Sequence, residues 1–265
     1  MRTVKEFVFE GFRLGARKFG LPFILTDDLG LRVVIYPWET TPTWKLRGRY
    51  NLRKEFMAFD ALISEGGIVV DIGAHVGLHS MMLARRAGTV YAFEPTPVSY
   101  GCLLENITLN KSINVIPIPK AVTAHTGTQT LNLFSQESSQ LNSLGTPDTG
   151  ETIAESLVVK TVSLDDFAEA EKISHFDFIK IDAEGAELDI LRGATKLLKE
   201  KRIKCFSFET AQNQFDGVSK KPEDARDFIM SFGYTIRCFD KMKKEFLPLP
   251  LLYNPIHDNL YAFAP

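Results

Sequence analysis

From Gly66 onward the chain alternates short apolar runs with longer amphipathic ones. The runs "IVVDI", "TVYAFE", "INVIPI", "FDFIKID" and "CFSFET" are almost continuously apolar, as parallel strands covered on both faces are. Between them, "PTPVSYGCLLENITLN" predicts a helix with Thr96 as its cap and Pro97 preset at its first position. "GAELDILRGATKLLKE" is apolar at 188, 191, 194, 197 and 198, the spacing of one helical face. "PEDARDFIMSFG" predicts a third helix between Pro222 and Gly233. "YTIRCF" and "NLYAFA" read as closing strands. Alternation of this kind builds an α/β domain, a doubly wound and mostly parallel sheet with helices on both faces.

Two segments depart from the alternation. In residues 20–65, "FILTDDLGLRVVIYPW" predicts a hairpin turning at Asp28 to Gly30, followed by a Pro-, Trp- and Arg-rich approach to the sheet. This gives an N-terminal extension over residues 1–65, helix plus hairpin, and a main domain over 66–265. In 121–163, "TGTQTLNLF" and "SLVVKTVSL" predict an antiparallel pair joined by a long polar stretch that is either disordered or a substrate loop. "SLDDF" then places a cap at Ser163 and an acid at Asp166, opening a short helix.

With 265 residues, 45% of them hydrophobic, the chain can bury one sizeable core. A formal net charge of −2 supplies no bulk attraction for nucleic acid or an anionic membrane, so a small partner is expected and nucleic acid is not. Cys102, Cys205 and Cys238 lie far apart and read as reduced thiols. The first 25 residues are interrupted by Lys5, Glu6, Glu10, Arg13, Arg17 and Lys18, unlike a signal peptide or a membrane span, and a cytoplasmic protein is expected. Val4, Phe7, Val8 and Phe12 share a helical face that would suit a membrane surface, but Glu6 and Glu10 dilute its basic side, so a packed terminal helix is expected and membrane contact is not. Asn106-Ile107-Thr108 matches a glycosylation acceptor, yet it falls inside a predicted helix and is set aside.

The candidate chemistry starts at "VVDIGAHVGLHS". A strand, a glycine turn and a helix aim backbone N–H groups at whatever sits above the strand end. The dinucleotide fingerprint would need glycines at 75 and 78, where His75 and Leu78 stand, and no P-loop Lys-Ser or Lys-Thr follows. What remains is Asp71-x-Gly73-Ala74-x-x-Gly77: close backbone approach beside a carboxylate. That suits a ligand with a cationic head and a small carboxylate, such as S-adenosylmethionine. Glu94, with Pro95 beside it, closes the second strand where an acid accepts hydrogen bonds from ribose hydroxyls in doubly wound nucleoside sites. Along "FDFIKID", period two puts Lys180 and Asp182 on one face. Asp71, Glu94, Asp182 and Glu209 thus cap four strands on the edge where ligands of open α/β sheets bind.

These residues resemble the FkbM-type S-adenosylmethionine-dependent methyltransferases, through "VVDIGAHVGLHS", "AFEPTPVSYGCLLENITLN", "KTVSLDDF" and, most specifically, "FDFIKIDAEGAELDILRGA". The resemblance covers about residues 66–210. It implies a seven-stranded class I, Rossmann-like methyltransferase sheet with its last strand antiparallel, and O-methylation of a hydroxyl on a sugar, glycan or natural product. It further implies that Asp71, Gly73 and Gly77 hold the methionine end of the cofactor, Glu94 the ribose, and that Asp182 stands at the reaction edge. His75 departs from the family pattern, which more often has Asn.

Methyl transfer from a sulfonium needs mainly the acceptor oxygen held behind the methyl, and a base for the hydroxyl proton. Asp182 ranks first as base, His75 is a second candidate, and Lys180 or a magnesium ion would ease formation of the alkoxide. Asp182 also reads as a helix N-cap, with Glu184 a first-turn acid. Lys180 reads equally as a neutraliser of neighbouring carboxylates. His75 and His79 have a zinc-compatible spacing, but Val76 occupies the place of a zinc-protease glutamate, so no zinc site is expected. Asp182 and Glu209 are the magnesium candidates. Trp38, Trp44, Arg47, Arg49 and Tyr50 would line a sugar site or pack the extension on the sheet. The rival functions are an NAD-dependent oxidoreductase, weakened by the missing glycines, and a non-catalytic protein that keeps the fold. The acceptor and the oligomeric state stay open.

Overall fold

The computed structural model describes residues 22–26, 30–36, 52–134, 144, 146–147, 153–183, 185–209, 215–216, 222–240, 242–249 and 259–265. In chain order it places β1 (Phe23–Thr26), β2 (Arg32–Ile35), α1 (Leu52–Leu62), β3 (Ile68–Ile72), α2 (Leu78–Leu83), β4 (Thr89–Phe93), α3 (Pro97–Asn110), β5 (Val115–Ile118), β6 (Ala121–Val122), β7 (Gly127–Leu133), β8 (Thr146–Pro147) and β9 (Glu155–Val162). There follow α4 (Leu164–Ala170), β10 (Phe176–Ile181), α5 (Glu187–Arg192), α6 (Thr195–Lys199), β11 (Ile203–Glu209), β12 (Phe215–Asp216), α7 (Pro222–Ser231), β13 (Thr235–Asp240), β14 (Glu245–Pro248) and β15 (Asn259–Phe263).

The main sheet has the order β14-β13-β15-β11-β10-β3-β4-β5. Strands β5, β4, β3, β10 and β11 run parallel, and β15 runs antiparallel to both β11 and β13. The expected seven strands are all present, and β14 adds an eighth as the antiparallel partner of β13 at the edge. From β3 the chain winds outward through β4 and β5, then returns to β10 on the other side of β3. The strand order therefore reverses between β3 and β10, where open α/β sheets form their ligand crevice.

Both faces of the sheet are covered. Val70, Ile72, Phe93, Ile179, Phe206 and Leu260 pack on one side beneath α4 to α7. Val69, Ala92, Phe178, Cys205 and Tyr261 pack on the other, beneath α1, α2 and α3. Every residue of β10 is buried, which makes its two charges, Asp177 and Lys180, the positions that require partners. Asp177 finds its own at the amino edge, accepting the Ile68 N–H at 2.8 Å and pairing with Lys204.

In the two irregular segments the predicted antiparallel pairs form, while the terminal helix predicted in the first residues and most of the polar stretch between 135 and 152 lie outside the described residues. β1 and β2 pair antiparallel, with the tip of the predicted turn, 27–29, outside the described residues. β7 and β9 pair antiparallel, β6 adds parallel to β9, and β8 and β12 form a small separate pair. Ser163 caps α4 by accepting the Asp166 N–H at 3.1 Å. Thr96 occupies the N-cap of α3 without a side-chain cap bond. Asn106 is buried inside α3, accepting the Val34 N–H and donating to the Val76 carbonyl, so it is a strut and not a glycan acceptor.

Two features depart from the pattern. The run after β10 is not one helix but α5 and α6. Gly193, at the break, lies so close to Thr123 that a β-carbon there would stand 2.2 Å from the Thr123 carbonyl oxygen, and its own carbonyl accepts the Asp165 N–H. Asp165 then accepts the N–H groups of Lys196 and Leu197, capping the restarted helix. The other departure is α1, an 11-residue helix where an irregular approach is predicted. Its Phe59 ring packs on Phe178 of β10 with centroids 5.4 Å apart.

Candidate active site

In the paired strands, Asp71 stands beside Ala92 and Lys180, Lys180 beside Ser207, and Ser207 beside Tyr261. Partners in register share a face, so these side chains form one row across the sheet. Two residues further on, the next row on the same face holds Glu94, Gly73, Asp182, Glu209 and Asn259, the last two being register partners. The four acids predicted for one edge thus stand on that edge, at adjacent strand ends.

Asp71 is wholly buried. Its Oδ2 accepts the Ser80 hydroxyl at 2.6 Å, and its Oδ1 lies 3.4 Å from the Lys180 ammonium with no hydrogen bond of its own. Lys180 donates to Asp182 Oδ2 at 2.9 Å. Burial opposes the charge on Lys180, but Asp182 and Asp71 more than offset it and hold the ammonium above its ordinary range. Lys180 is therefore a fixed cation between two carboxylates, and Asp182 is not a helix N-cap, since α5 begins after Ala186. Glu184 and the side chain of Glu209 lie outside what is described.

Glu94 is buried against the glycine loop. Its Oε2 accepts the His75 N–H at 2.9 Å and its Oε1 the Thr96 N–H at 2.8 Å. Burial raises its pKa, opposed by His75 and by these donors. The loop differs from the expectation of free donors: the N–H groups of Gly73 and Ala74 bond to the Phe93 carbonyl, that of His75 to Glu94, and that of Gly77 to the Ala74 carbonyl. The first three secure the loop to the end of β4, and the fourth closes the turn on itself. The glycines have internal causes as well. Gly73 and Gly77 have φ of 76° and 87°, and a β-carbon at Gly77 would lie 2.4 Å from Leu103 Cδ1.

Of the loop's carbonyls, those of Ala74, Val76 and Gly77 accept the Gly77 N–H, the Asn106 amide and the Met81 N–H, so the polar group set beneath the loop is the Asp71 carboxylate. A buried carboxylate oxygen without a hydrogen bond, below a loop of this kind, is matched by an ammonium-bearing ligand or a bridging water. These residues fit the amino-acid end of S-adenosylmethionine. A metal finds less support: no group of three potential His, Cys, Asp or Glu ligands gathers among the described residues. Trp38, Trp44, Arg47, Arg49 and Tyr50 lie outside the described residues.

The structure also brings in residues that the sequence pattern does not single out. Glu187 is buried behind Asp182 and accepts the Gly185 N–H at 3.2 Å. Burial pushes its pKa up to about 7, opposed by backbone donors of the turn and reinforced by Asp182. Glu55 of α1 meets the ring of His79 at 2.8 Å and accepts the Asn259 amide at 3.0 Å. Its contacts span 24 and 204 residues of chain, a separation that no local pattern reveals.

A parallel sheet in this order, with an antiparallel strand inserted near its far edge and an acid at the end of each of the strands flanking the switch point, defines the class I methyltransferase fold. The FkbM methyltransferase domain profile matches residues 71–236, and the chain belongs to that family. The hexuronic acid methyltransferase AglP of Haloferax volcanii is 29% identical over 159 residues, 59% of this chain and 62% of that protein. The methyltransferase sdnD of Sordaria araneosa is 27% identical over 153 residues, 47% and 59% of the two chains. The matched part thus spans about three-fifths of these relatives' length. The crystal structure of an FkbM methyltransferase from Methylobacillus flagellatus superposes with a TM-score of 0.50 at 16% identity, over 76% of this chain and 44% of that one, a likeness of fold. No helix among the described residues is long and apolar enough to cross a membrane.

Proposed function

We propose that this protein is an S-adenosylmethionine-dependent O-methyltransferase acting on a hydroxyl of a sugar, a glycan or a natural product. The observation that carries the reading is the Asp71–Lys180–Asp182 ion-pair cluster, with Glu94 on the neighbouring strand end, at the switch point of a class I sheet. Bound there, S-adenosylmethionine supplies an electrophilic methyl on a sulfonium. Asp71 takes the ammonium end, Glu94 the ribose hydroxyls, and the loop Gly73 to Gly77, with Pro95 across from it, the path between them. The carboxylates at 71 and 182 favour the sulfonium's positive charge, while Lys180 prevents the pair from repelling each other.

Membership of the family and the relative named for hexuronic acid support a sugar as the acceptor class. The chain's part in transfer is to hold the hydroxyl in line with the methyl and to exclude water. Asp182, on the edge row, orients the acceptor.

Calorimetric titration with S-adenosylmethionine, S-adenosylhomocysteine and NAD tests the cofactor. Binding of the first two and not of NAD is the expected result, and binding of NAD alone overturns the reading. Labelled-methyl transfer to a panel of methyl glucuronides, neutral methyl glycosides and hydroxylated polyketides tests the acceptor. Transfer to a sugar hydroxyl is expected; binding of S-adenosylmethionine without transfer to any member, including a cell metabolite extract, would point to a non-catalytic protein.

A further inference from the structure

We propose that Glu55, carried by the helix ahead of the first core strand, is the base that takes the acceptor's hydroxyl proton, with His79 and Asn259 as its positioning residues. This rests on the reading of the protein as a hydroxyl methyltransferase.

The placement follows from the path of the chain. Helix α1 ends at Leu62 and β3 begins at Ile68, so the helix runs down the sheet and the strand runs back up. Eleven helical residues at about 1.5 Å each match five strand residues at about 3.3 Å each, which returns the first turn of α1 to the carboxyl edge of the sheet. Glu55 lies in that first turn.

Its carboxylate is held from two sides. His79 Nε2 is 2.8 Å from Oε2, on the helix that follows the glycine loop. Asn259 Nδ2 donates to Oε1 at 3.0 Å from the first residue of β15, in register with Glu209. Strands β10 and β11 lie between β3 and β15, so these anchors bracket the edge where Asp182 stands. Glu55 also acts electrostatically on Lys180, which faces Asp71 and Asp182 as well, so its charge belongs to the same cluster.

Burial separates the roles. The His79 side chain is 7% exposed, enclosed by Phe59 edge-on at 6.0 Å, while that of Glu55 is 20% exposed. The carboxylate is the member of the pair that an acceptor can reach. The imidazole behind it fixes its orientation and shares the proton it gains. Asp182, similarly exposed at 23%, faces the Lys180 ammonium at 2.9 Å, whereas Glu55 meets an imidazole and an amide.

The step balances simply. The acceptor O–H bond breaks as its oxygen bonds to the methyl carbon; the sulfonium–methyl bond breaks, its electron pair staying on sulfur to give the thioether. The proton passes to the Glu55 carboxylate, so a sulfonium and a carboxylate become two neutral groups.

The test compares wild type, Glu55→Gln, Glu55→Ala and Glu55→Asp in the labelled-methyl assay on the acceptor panel above, with S-adenosylhomocysteine affinity and melting temperature as controls. Glu55→Gln keeps an acceptor oxygen for Asn259 but cannot take a proton. It is expected to transfer at least about 100-fold more slowly, the usual scale for a lost general base, with S-adenosylhomocysteine affinity within about threefold of wild type. Loss of the acid limb of the pH–rate profile in Glu55→Gln, and recovery of Glu55→Ala by added formate, are expected of a base and not of a helix tether. Transfer by Glu55→Gln at more than a third of the wild-type rate overturns the assignment alone. So does failure of formate to raise the Glu55→Ala rate, which decides the matter if the Gln variant also loses cofactor binding. If wild type transfers to nothing, the functional reading falls and this assignment falls with it.

Discussion

The α-carbon of Gly73 faces the backbone carbonyl of Asp182 so closely that a β-carbon there would lie 1.9 Å from the oxygen. The loop that follows β3 and the end of β10 therefore touch backbone to backbone, and the two halves of the crevice are set at a fixed spacing by the absence of a side chain. Gly73→Ala must both push that carbonyl away and hold φ near 76°. The expected loss is at least about 2 kcal/mol of unfolding free energy, with weaker S-adenosylhomocysteine binding. Gly101, inside α3 with nothing within 4 Å of the same position, is the control. Gly101→Ala should stabilise by about 0.5–1 kcal/mol in the same urea titration.

His75 sits at φ 53°, in the left-handed region that Asn, Asp and His adopt more readily than other side chains. This gives a backbone reason for Asn, the residue that the family resemblance leads one to expect at this place. His75→Asn should leave unfolding free energy within about 0.5 kcal/mol, and His75→Val should cost about 1–2 kcal/mol, because a β-branched residue resists that conformation. Equal losses in the two variants would assign the position's requirement to the imidazole ring.

The main sheet is legible in the sequence because its strands announce themselves. "IVVDI" is β3 without a residue's error, and "FDFIKID" extends β10 by one. The edge acids are legible too, since strand ends and period two suffice to place Asp71, Glu94 and Asp182 on one side. What the pattern could not carry are contacts made across the chain. Gly193 interrupts an apolar spacing that otherwise reads as one helix, for a reason that lies in Thr123, 70 positions earlier in the numbering. Glu55 lies in "LRKEFMAFDAL", whose helical spacing is plain once seen, but the meeting with His79 and Asn259 depends on how the helix crosses the sheet. The glycine loop shows the reverse error: its motif suggests N–H groups turned to a ligand, while Phe93 and Glu94 take those of Gly73, Ala74 and His75 and the Ala74 carbonyl takes that of Gly77.

Lys180 is the charge that makes the buried Asp71 carboxylate compatible with the partly exposed Asp182. Lys180→Met leaves Asp71 buried beside an apolar chain and Asp182 without its 2.9 Å donor. The expected destabilisation is about 3–5 kcal/mol, the usual consequence of removing one member of a buried pair. Adding Asp71→Asn should recover part of it, so that the double variant is more stable than the sum of the singles predicts. Strict additivity in this cycle, measured by urea unfolding, would show that the two groups do not act on each other.

Glu187 links stability to pH in a direction opposite to most carboxylates. Its folded pKa of about 7 stands above the ordinary value of 4.5, because burial penalises the charge more than the turn's N–H groups favour it. The folded state therefore binds more protons than the unfolded state between these two values, and stability falls as pH rises through that window. Below about 4.5 both states are protonated and the group contributes no slope; above about 7 the full penalty is present. Wild type should lose about 2–4 kcal/mol between pH 5 and pH 8 from this group alone, by the usual 1.36 kcal/mol for each pKa unit. Glu187→Gln, which cannot ionise, should show a flatter dependence over the same interval, although it holds the Gly185 turn less firmly at every pH. The check is urea unfolding of both proteins at pH 5, 6, 7 and 8, and a parallel pair of curves would mean that another group sets the slope.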